Sequence, residues 1–165
     1  MIVYLDTEFT DLTDTFGPIR LISAGFVAEN GTEIYFELTD NYKHDDCSYF
    51  VLENVLPHLD SAKYGMPSAQ AALKLKAWCE SFGEPVQLAS DAPAYDFDLI
   101  AFLLREQKIV IDNLDAKCLQ LDAYMVEDKI ERYYEYQPLA IRHHALWDAR
   151  ALASVFEKNY DQYLF

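Results

Sequence analysis

Two acidic residues end the first apolar segment of the chain, and their spacing suits a metal site. The segment Met1 to Thr10 reads MIVYLDTEFT, so mostly apolar residues lead directly to Asp6 and Glu8. Alternate side chains of a β-strand lie on one face, which would put the two carboxylates roughly 7 Å apart along the chain. Two like charges beside a buried strand repel each other, and a hard divalent cation such as Mg²⁺ or Mn²⁺ removes that cost. The alternative is that the strand ends here and both acids face water.

A second group of acids lies in the middle of the chain, in the stretch SDAPAYDFDLIAFLL (90–104). Its candidate ligands are Asp91, Asp96 and Asp98. Asp96 follows Tyr95 near the start of a predicted helix, where free N–H groups and the helix dipole stabilise a negative charge. Stabilisation of the helix is therefore an alternative to metal binding, and the residues alone leave both open.

Two histidines precede an acid near the C-terminal end, in IRHHALWDARAL (141–152). On a helix, His144 and Asp148 are i and i+4 and would face each other, which is enough to explain them as a helix-stabilising pair. Alternatively, Asp148 points into a metal site and a histidine before the helix accepts the proton of an attacking water. Helix geometry alone favours His144 over His143 as the partner of Asp148.

The elements that must position these residues predict an α/β fold. Asn30-Gly31 separates two strand-like runs, 19–28 and 33–38, which indicates a hairpin and, with the first strand, an antiparallel meander. Hydrophobic periodicity then predicts helices over 49–59, 69–82, 94–106, 118–130 and 145–158, and strands over 85–91 and 108–115. A meander followed by αβ units makes a mixed five-stranded sheet flanked by helices. Ligands of such sheets bind outside strand ends, where Asp6 and Glu8 lie.

Length and composition indicate one folded domain over residues 1–165, since no linker or repeat divides the chain. A hydrophobic content of 52% excludes a disordered chain. No apolar run approaches the ~20 residues of a membrane span, and we see no signal peptide, so we expect no membrane partner. Three widely spaced cysteines fit neither a disulfide framework nor a zinc site, which favours reduced thiols in a cytoplasmic protein.

The strongly acidic balance limits the possible partners. The chain has 28 acidic residues against 13 Lys and Arg, and neutralising four acids would raise the net charge only from −15 to −11. Proteins that hold long duplexes usually present a basic face, so the composition argues against a long electrostatic footprint on nucleic acid. A small substrate, a short strand end or a metal-neutralised site remains open. So does a non-catalytic acidic protein that mimics nucleic acid.

Together, the order and spacing of the motifs resemble the DEDDh group of 3′–5′ exonucleases, which have a ribonuclease H-like fold. The motif residues here are Asp6 and Glu8 in LDTEF, Asp96 in AYD, and His143 with Asp148 in HHALWDA. The resemblance spans almost the whole chain. Within the group it is strongest to small bacterial exoribonucleases, including one from mycobacteria.

The resemblance implies a site for two divalent cations, Mg²⁺ or Mn²⁺. Asp6 would bridge both ions, Glu8 and Asp148 would help to hold the first, and Asp96 would assist the second. Four carboxylates and two such cations sum to zero charge, so the site itself need not repel a phosphate. The implied reaction is hydrolysis of the last phosphodiester, which releases a nucleoside 5′-monophosphate.

The family spacing H-x-A-L-x-D also decides between the histidines, because it assigns the proton acceptor to His143 and leaves His144 as a variable neighbour. Two departures concern how the terminal nucleotide is held. Many relatives have Thr-Gly where this chain has Phe9-Thr10, and the second motif usually carries Asn near the place of Asp91.

The implied substrate contacts are Thr7, Phe9 and Tyr95. Phe9 would stack on the terminal base or, alternatively, belong to the core, and Tyr95 also suits a packing role. The predicted function is a metal-dependent 3′–5′ exonuclease for single-stranded or short-overhang RNA. A DNA exonuclease of the same fold is the alternative, because the 2′-hydroxyl contact that separates RNA from DNA has no sequence signature here. A homodimer is implied only by analogy.

Overall fold

A six-stranded mixed sheet forms the centre of the molecule. The computed structural model describes residues 1–13, 15, 17–122, 124 and 127–156. The strands are β1 (Ile2–Phe9), β2 (Leu21–Ala28), β3 (Glu33–Leu38), β4 (Gly65–Met66), β5 (Gln87–Ser90) and β6 (Leu119–Gln120), in the order β4-β3-β2-β1-β5-β6. β1, β2 and β3 form an antiparallel meander, and β4, β5 and β6 pair in parallel with their neighbours. The predicted α/β fold with a meander and αβ units is confirmed.

The hairpin between β2 and β3 turns where the sequence predicts it. Gly31 has φ of +82°, and the Asn30 side chain accepts a hydrogen bond from the Thr32 amide at 2.9 Å. Positive φ is easy for glycine, so Asn-Gly closes a tight turn without strain. The register that follows pairs Ser23 with Glu37 and aligns the three strands of the meander.

Helices cover both faces of the sheet. They are α1 (Tyr49–Asn54), α2 (Ser61–Tyr64), α3 (Ser68–Ser81), α4 (Asp96–Glu106), α5 (Glu127–Tyr136) and α6 (Ala145–Phe156). The core between α3, α4 and the sheet contains Val3 and Leu5 of β1, whereas Tyr4 packs with α6 on the opposite face. The side chains of successive β1 residues therefore lie on opposite faces of the sheet. Within the described ranges, no helix has the length and apolar composition needed to cross a membrane.

The predicted count of five strands is wrong, because the described residues form six strands. The strands of the C-terminal half also lie at other positions than predicted. Residues 108–115 form no strand, although Val86 and Leu114 make an isolated parallel bridge. Ile109 and Ile111 pack toward the core from turns after Lys108, which has φ of +55°. The alternating apolar pattern is therefore satisfied without strand pairing.

The helix predicted over 118–130 is wrong at its start and correct over 127–130, and residues 123, 125 and 126 lie outside the described residues. Residues 119–120 form β6, which pairs with the end of β5, and helix α5 begins at Glu127. The apolar residues Leu119 and Leu121 pack against the α6 side of the sheet, which a strand achieves as well as a helix. Periodicity cannot distinguish the two states over so short an apolar run.

Candidate active site

The end of β1 presents two acids on the face that is covered by α6. Asp6 pairs with Gly25 of β2 and Glu8 pairs with Ser23, so both acids follow Tyr4 on the same face. A bulge between Glu8 and Phe9 then ends the regular register. Bulges re-aim side chains and are common beside functional sites. The predicted common face of Asp6 and Glu8 is therefore the face that meets the start of α6.

Gly25 allows the start of α6 to touch the sheet. A Cβ atom built on Gly25 would overlap the carbonyl oxygen of Ala145 and the amide nitrogen of Leu146. The backbone of α6 therefore rests directly on β2, next to the strand that carries Asp6. Asp148 lies in the first turn of α6 and reaches the same place. One carboxylate oxygen each from Asp6, Glu8 and Asp148 lie within 4.8 Å of one another.

Asp148 is held by two donors from different parts of the chain. Its Oδ2 accepts a hydrogen bond from the His144 amide at 3.0 Å, and its Oδ1 accepts one from the Tyr134 hydroxyl. Tyr134 belongs to α5, and the sequence analysis did not assign it to the site. The sequence shows only a Tyr-rich stretch at 133–136, and this pattern does not indicate that one of its hydroxyls contacts an acid of the site.

Asp96 reaches the site from the opposite side of β1. It begins α4, is 2% exposed, and its Oδ1 accepts hydrogen bonds from the Thr7 amide at 3.1 Å and the Thr7 hydroxyl at 2.5 Å. Its Oδ2 accepts a hydrogen bond from the Ser90 hydroxyl at the end of β5. Thr7 is thus engaged with a protein carboxylate. Its predicted contact with substrate stays a prediction.

A second group of acids forms around the same strand end. Asp6, Asp91 and Asp96 also bring one carboxylate oxygen each within 4.8 Å of one another. Asp6 therefore belongs to both groups. The sequence analysis named Asp91 only as a candidate, and Asp98, the other candidate, is exposed on α4 and belongs to neither group.

The charges of these acids act on one another. Burial, followed by the charges of Asp148 and Asp96, raises the pKa of Glu8 to about 8. Burial and four neighbouring carboxylates raise the pKa of Asp6 well above its usual value. Burial also raises the pKa of Asp96 to about 6, although hydrogen bonds from Ser90 and Thr7 oppose the rise. Such repulsion is relieved by a hard cation, and oxygen ligands are those that Mg²⁺ and Mn²⁺ prefer, so both groups fit a divalent metal.

The two histidines have different environments. His143 is exposed, has φ of +58°, and packs the edge of its ring against Phe50 at 4.9 Å between centroids. His144 is half-buried and stacks on Tyr35 at 4.6 Å, and burial lowers its pKa. Burial raises the pKa of Asp148, and the nearby charge of His143 is among the effects that oppose this rise. His143 is thus the solvent-exposed histidine whose charge acts on Asp148.

An aromatic platform adjoins the acids. The rings of Phe9 and Tyr95 stack with 5.3 Å between centroids and 5° between planes, and both are partly exposed. A cleft of about 540 Å³ extends from Tyr95 along α4 and is lined by the apolar side chains Leu99 and Phe102 and by Arg20. A flat, partly exposed ring surface of this kind can stack a base whatever its sequence.

Solved structures match the chain in fold, although no family model and no curated protein matches it in sequence. The nuclease domain of 3'hExo, a DEDDh family member bound to rAMP, has a TM-score of 0.63 at 10% identity over 98% of this chain and 92% of that chain. Cell-death related nuclease 4 has a TM-score of 0.64 at 14% identity over 98% of this chain and 64% of that chain. The zinc-bound ExoI–ssDNA complex of E. coli has a TM-score of 0.60 at 12% identity over 98% of this chain.

These likenesses show that the chain has the fold of DEDDh exonuclease domains, which is the ribonuclease H-like fold predicted above. The chain spans 40% of the ExoI chain, so activities of that larger protein do not transfer with the fold. The likeness to mycobacterial exoribonucleases and the homodimer stay predictions.

Proposed function

We propose that the chain is a metal-dependent 3′–5′ exonuclease that releases nucleoside 5′-monophosphates from the 3′ end of single-stranded or short-overhang RNA. The observation that supports it most is the pair of carboxylate groups that share Asp6 at the end of β1. A shared acid between two oxygen-rich groups is the arrangement that a two-metal hydrolase needs.

In this proposal Asp6 contributes to both cation sites, Glu8 and Asp148 complete one, and Asp96 with Asp91 completes the other. Bound cations would polarise the scissile phosphate and make an attacking water more acidic. The residues around the acids keep these ligands in place, since Thr7 and Ser90 hold both oxygens of Asp96. A ligand that is already oriented loses little entropy when a cation binds.

His143 is the proposed proton acceptor. Its exposed ring lies on the loop before α6, so it can take a proton from water attacking the terminal phosphate and return it to solvent. Attack breaks the bond between phosphorus and the 3′ oxygen of the preceding nucleotide. That oxygen takes a proton from solvent and becomes the new 3′ hydroxyl, and the phosphate stays on the 5′ oxygen of the released nucleotide. The stacked Phe9 and Tyr95 rings would receive the terminal base and set its position.

RNA is the proposed substrate and DNA the alternative. The 3'hExo domain, of which this chain covers 92%, was solved with rAMP bound, and the ExoI complex, of which it covers 40%, contains single-stranded DNA. The net charge of −15 favours a short strand end over a long duplex, because a chain with 13 Lys and Arg against 28 acids gains little from contact with many phosphates.

The test is a time course with two 5′-labelled oligomers of one sequence, RNA and DNA, with Mn²⁺ or with chelator. We expect a metal-dependent ladder that shortens from the 3′ end, formed faster on RNA. Asp6→Asn keeps the size of the side chain but removes a charge that both groups need, so its rate should fall by about 100-fold or more.

Asp112→Asn is the matched control, because Asp112 is an exposed acid outside both groups and outside the cleft beside Tyr95. It should cleave like the wild type. Faster degradation of DNA would replace the RNA proposal with the DNA alternative. No ladder on either strand would overturn the exonuclease proposal and favour the acidic-mimic alternative. An Asp6→Asn variant as active as the wild type would overturn the role proposed for Asp6 and its two carboxylate groups.

A further inference from the structure

Tyr134 lies at the candidate metal site although it comes from a different part of the chain than the motif acids. Its side chain is half-buried, and its hydroxyl donates a hydrogen bond to Oδ1 of Asp148. Tyr134 therefore contacts one of the three acids in the group of Asp6, Glu8 and Asp148. None of the proposed catalytic steps uses it.

The surroundings of Tyr134 fix its ring. The Arg142 guanidinium lies over the ring with 4.3 Å to its centroid, and Arg142 also forms an ion pair with Glu131 one turn earlier on α5. The ring of Tyr133 meets Tyr134 edge-on at 5.4 Å. Cation–π and edge contacts of this kind restrict a ring without using its hydroxyl. The contacts with Arg142 and Tyr133 therefore hold the ring in the position from which its hydroxyl contacts Asp148.

The contact leaves Asp148 able to bind a cation. A carboxylate has about four lone-pair positions on its two oxygens. The His144 amide occupies one on Oδ2 and the Tyr134 hydroxyl occupies one on Oδ1, so each oxygen keeps a position that can face Asp6 and Glu8. Two donors, one on each oxygen, also fix the plane of the carboxylate, whereas the carboxylate of an exposed acid can rotate.

We propose that Tyr134 is a positioning residue that holds Asp148 in the orientation required for cation binding. This inference rests on the metal-dependent function proposed above. Ligating carboxylates are commonly hydrogen-bonded in turn, and losing such a partner typically weakens metal affinity by 10–100-fold. Tyr134 does not itself contact substrate in this proposal, so its effect reaches the reaction only through Asp148.

The experiment measures Mn²⁺ binding to substrate-free protein by calorimetry, with Mn²⁺ electron paramagnetic resonance as a second readout. Tyr134→Phe removes the hydroxyl and keeps the ring under Arg142, so the fold and the α5 anchor are retained. We expect its tighter Mn²⁺ site to weaken by about 10-fold and its cleavage rate to recover at saturating Mn²⁺. Tyr136→Phe is the control, because Tyr136 is 78% exposed on the same helix, and it should bind Mn²⁺ like the wild type.

The outcomes separate the two proposals. If wild type binds Mn²⁺ and cleaves RNA while Tyr134→Phe binds Mn²⁺ equally well, the positioning role of Tyr134 is overturned and the exonuclease stands. Tighter binding by Tyr134→Phe would also overturn it, because the hydroxyl would then compete with the cation. If wild type neither binds Mn²⁺ nor cleaves either strand, the proposed function is overturned, and the role of Tyr134 with it.

Discussion

At the scale of single residues, backbone conformation gives the two adjacent histidines different surroundings, so that one is exposed at the site and the other packs against the sheet. His143 adopts φ of +58°, a left-handed conformation that is uncommon outside glycine and is tolerated by histidine and asparagine. This conformation turns the chain before α6, leaving the His143 ring exposed and the His144 ring stacked on Tyr35. Backbone outliers of this kind cluster at functional sites, which supports a role for His143.

We predict that His143→Asn lowers the cleavage rate by about 10²–10⁴-fold, the usual contribution of a proton acceptor. Asparagine accepts the same left-handed backbone conformation, so the turn should persist. Calorimetry should find Mn²⁺ affinity unchanged, because His143 is not among the clustered carboxylates.

The control is His144→Phe, which keeps an aromatic ring against Tyr35 and removes the buried Nδ1 atom, for which the described residues provide no hydrogen-bond partner. Its rate and melting temperature should stay close to wild type. If His144→Phe is inactive and His143→Asn is active, the role of proton acceptor belongs to His144, as simple helix geometry suggested.

At the scale of elements, the site is the place where three segments meet the end of β1. α6 lies against β2 at Gly25, α4 begins at Asp96 beside Thr7, and α5 reaches Asp148 through Tyr134. The contact at Gly25 is the least adaptable of these, because it joins backbone to backbone. Backbone atoms cannot rotate out of the way as a flexible side chain can.

We predict that Gly25→Ala displaces the start of α6 and so separates Asp148 from Asp6. The added methyl group would overlap the Ala145 and Leu146 backbone, and overpacking of this kind costs about 1–3 kcal/mol of stability. Mn²⁺ affinity and cleavage should both fall.

Ala24→Gly is the matched variant in the next position of β2. Ala24 is buried in the core that faces α3 and α4, and its loss also destabilises the strand, by about 0.5–1 kcal/mol. It should lower the melting temperature without changing Mn²⁺ affinity. If both variants lose Mn²⁺ equally, general destabilisation explains the effect and the close approach of α6 does not.

At the scale of the whole molecule, acidic charge opposes the metal-free fold. The chain carries a net charge of −15, and the motif acids add a local excess at one strand end. Self-repulsion destabilises a compact state far from neutrality. The pKa of Glu8 is raised to about 8 and that of Asp96 to about 6, so the folded protein holds protons that the unfolded chain has already lost.

We predict that the metal-free protein becomes less stable as pH rises. Where the folded state binds more protons than the unfolded state, the free energy of unfolding falls with increasing pH. The decline should run from about pH 4, where unfolded carboxylates ionise, to about pH 8, where folded Glu8 ionises. Thermal melts in chelator across this range measure it.

Two further melts identify the cause. Glu8→Gln removes the carboxyl group whose pKa is raised to about 8, so the decline between about pH 6 and 8 should flatten. Saturating Mn²⁺ should stabilise the wild type most at the upper end, where the carboxylates are charged. A metal-free melting temperature that rises across the range would contradict the raised pKa values.

Much of this site could be predicted because its chemistry lies in short local patterns. Asp6 and Glu8 follow an apolar strand, Asp96 begins a helix, and Asp148 lies one turn into another, so periodicity alone puts each at an element end. The meander and its Asn30-Gly31 turn are local in the same sense. The errors fall where local patterns are ambiguous, as in residues 108–115, which alternate like a strand but pack from turns.

By itself, therefore, the sequence determined the α/β class, the meander and the identity of the motif acids. Only the tertiary structure decided that Asp91 joins Asp6 and Asp96, that Gly25 admits α6, and that Tyr134 meets Asp148. The physical reason is that these contacts join residues far apart in the chain. These contacts form only where the fold brings two distant segments together. The distance between two such segments cannot be inferred from the residue pattern of either one.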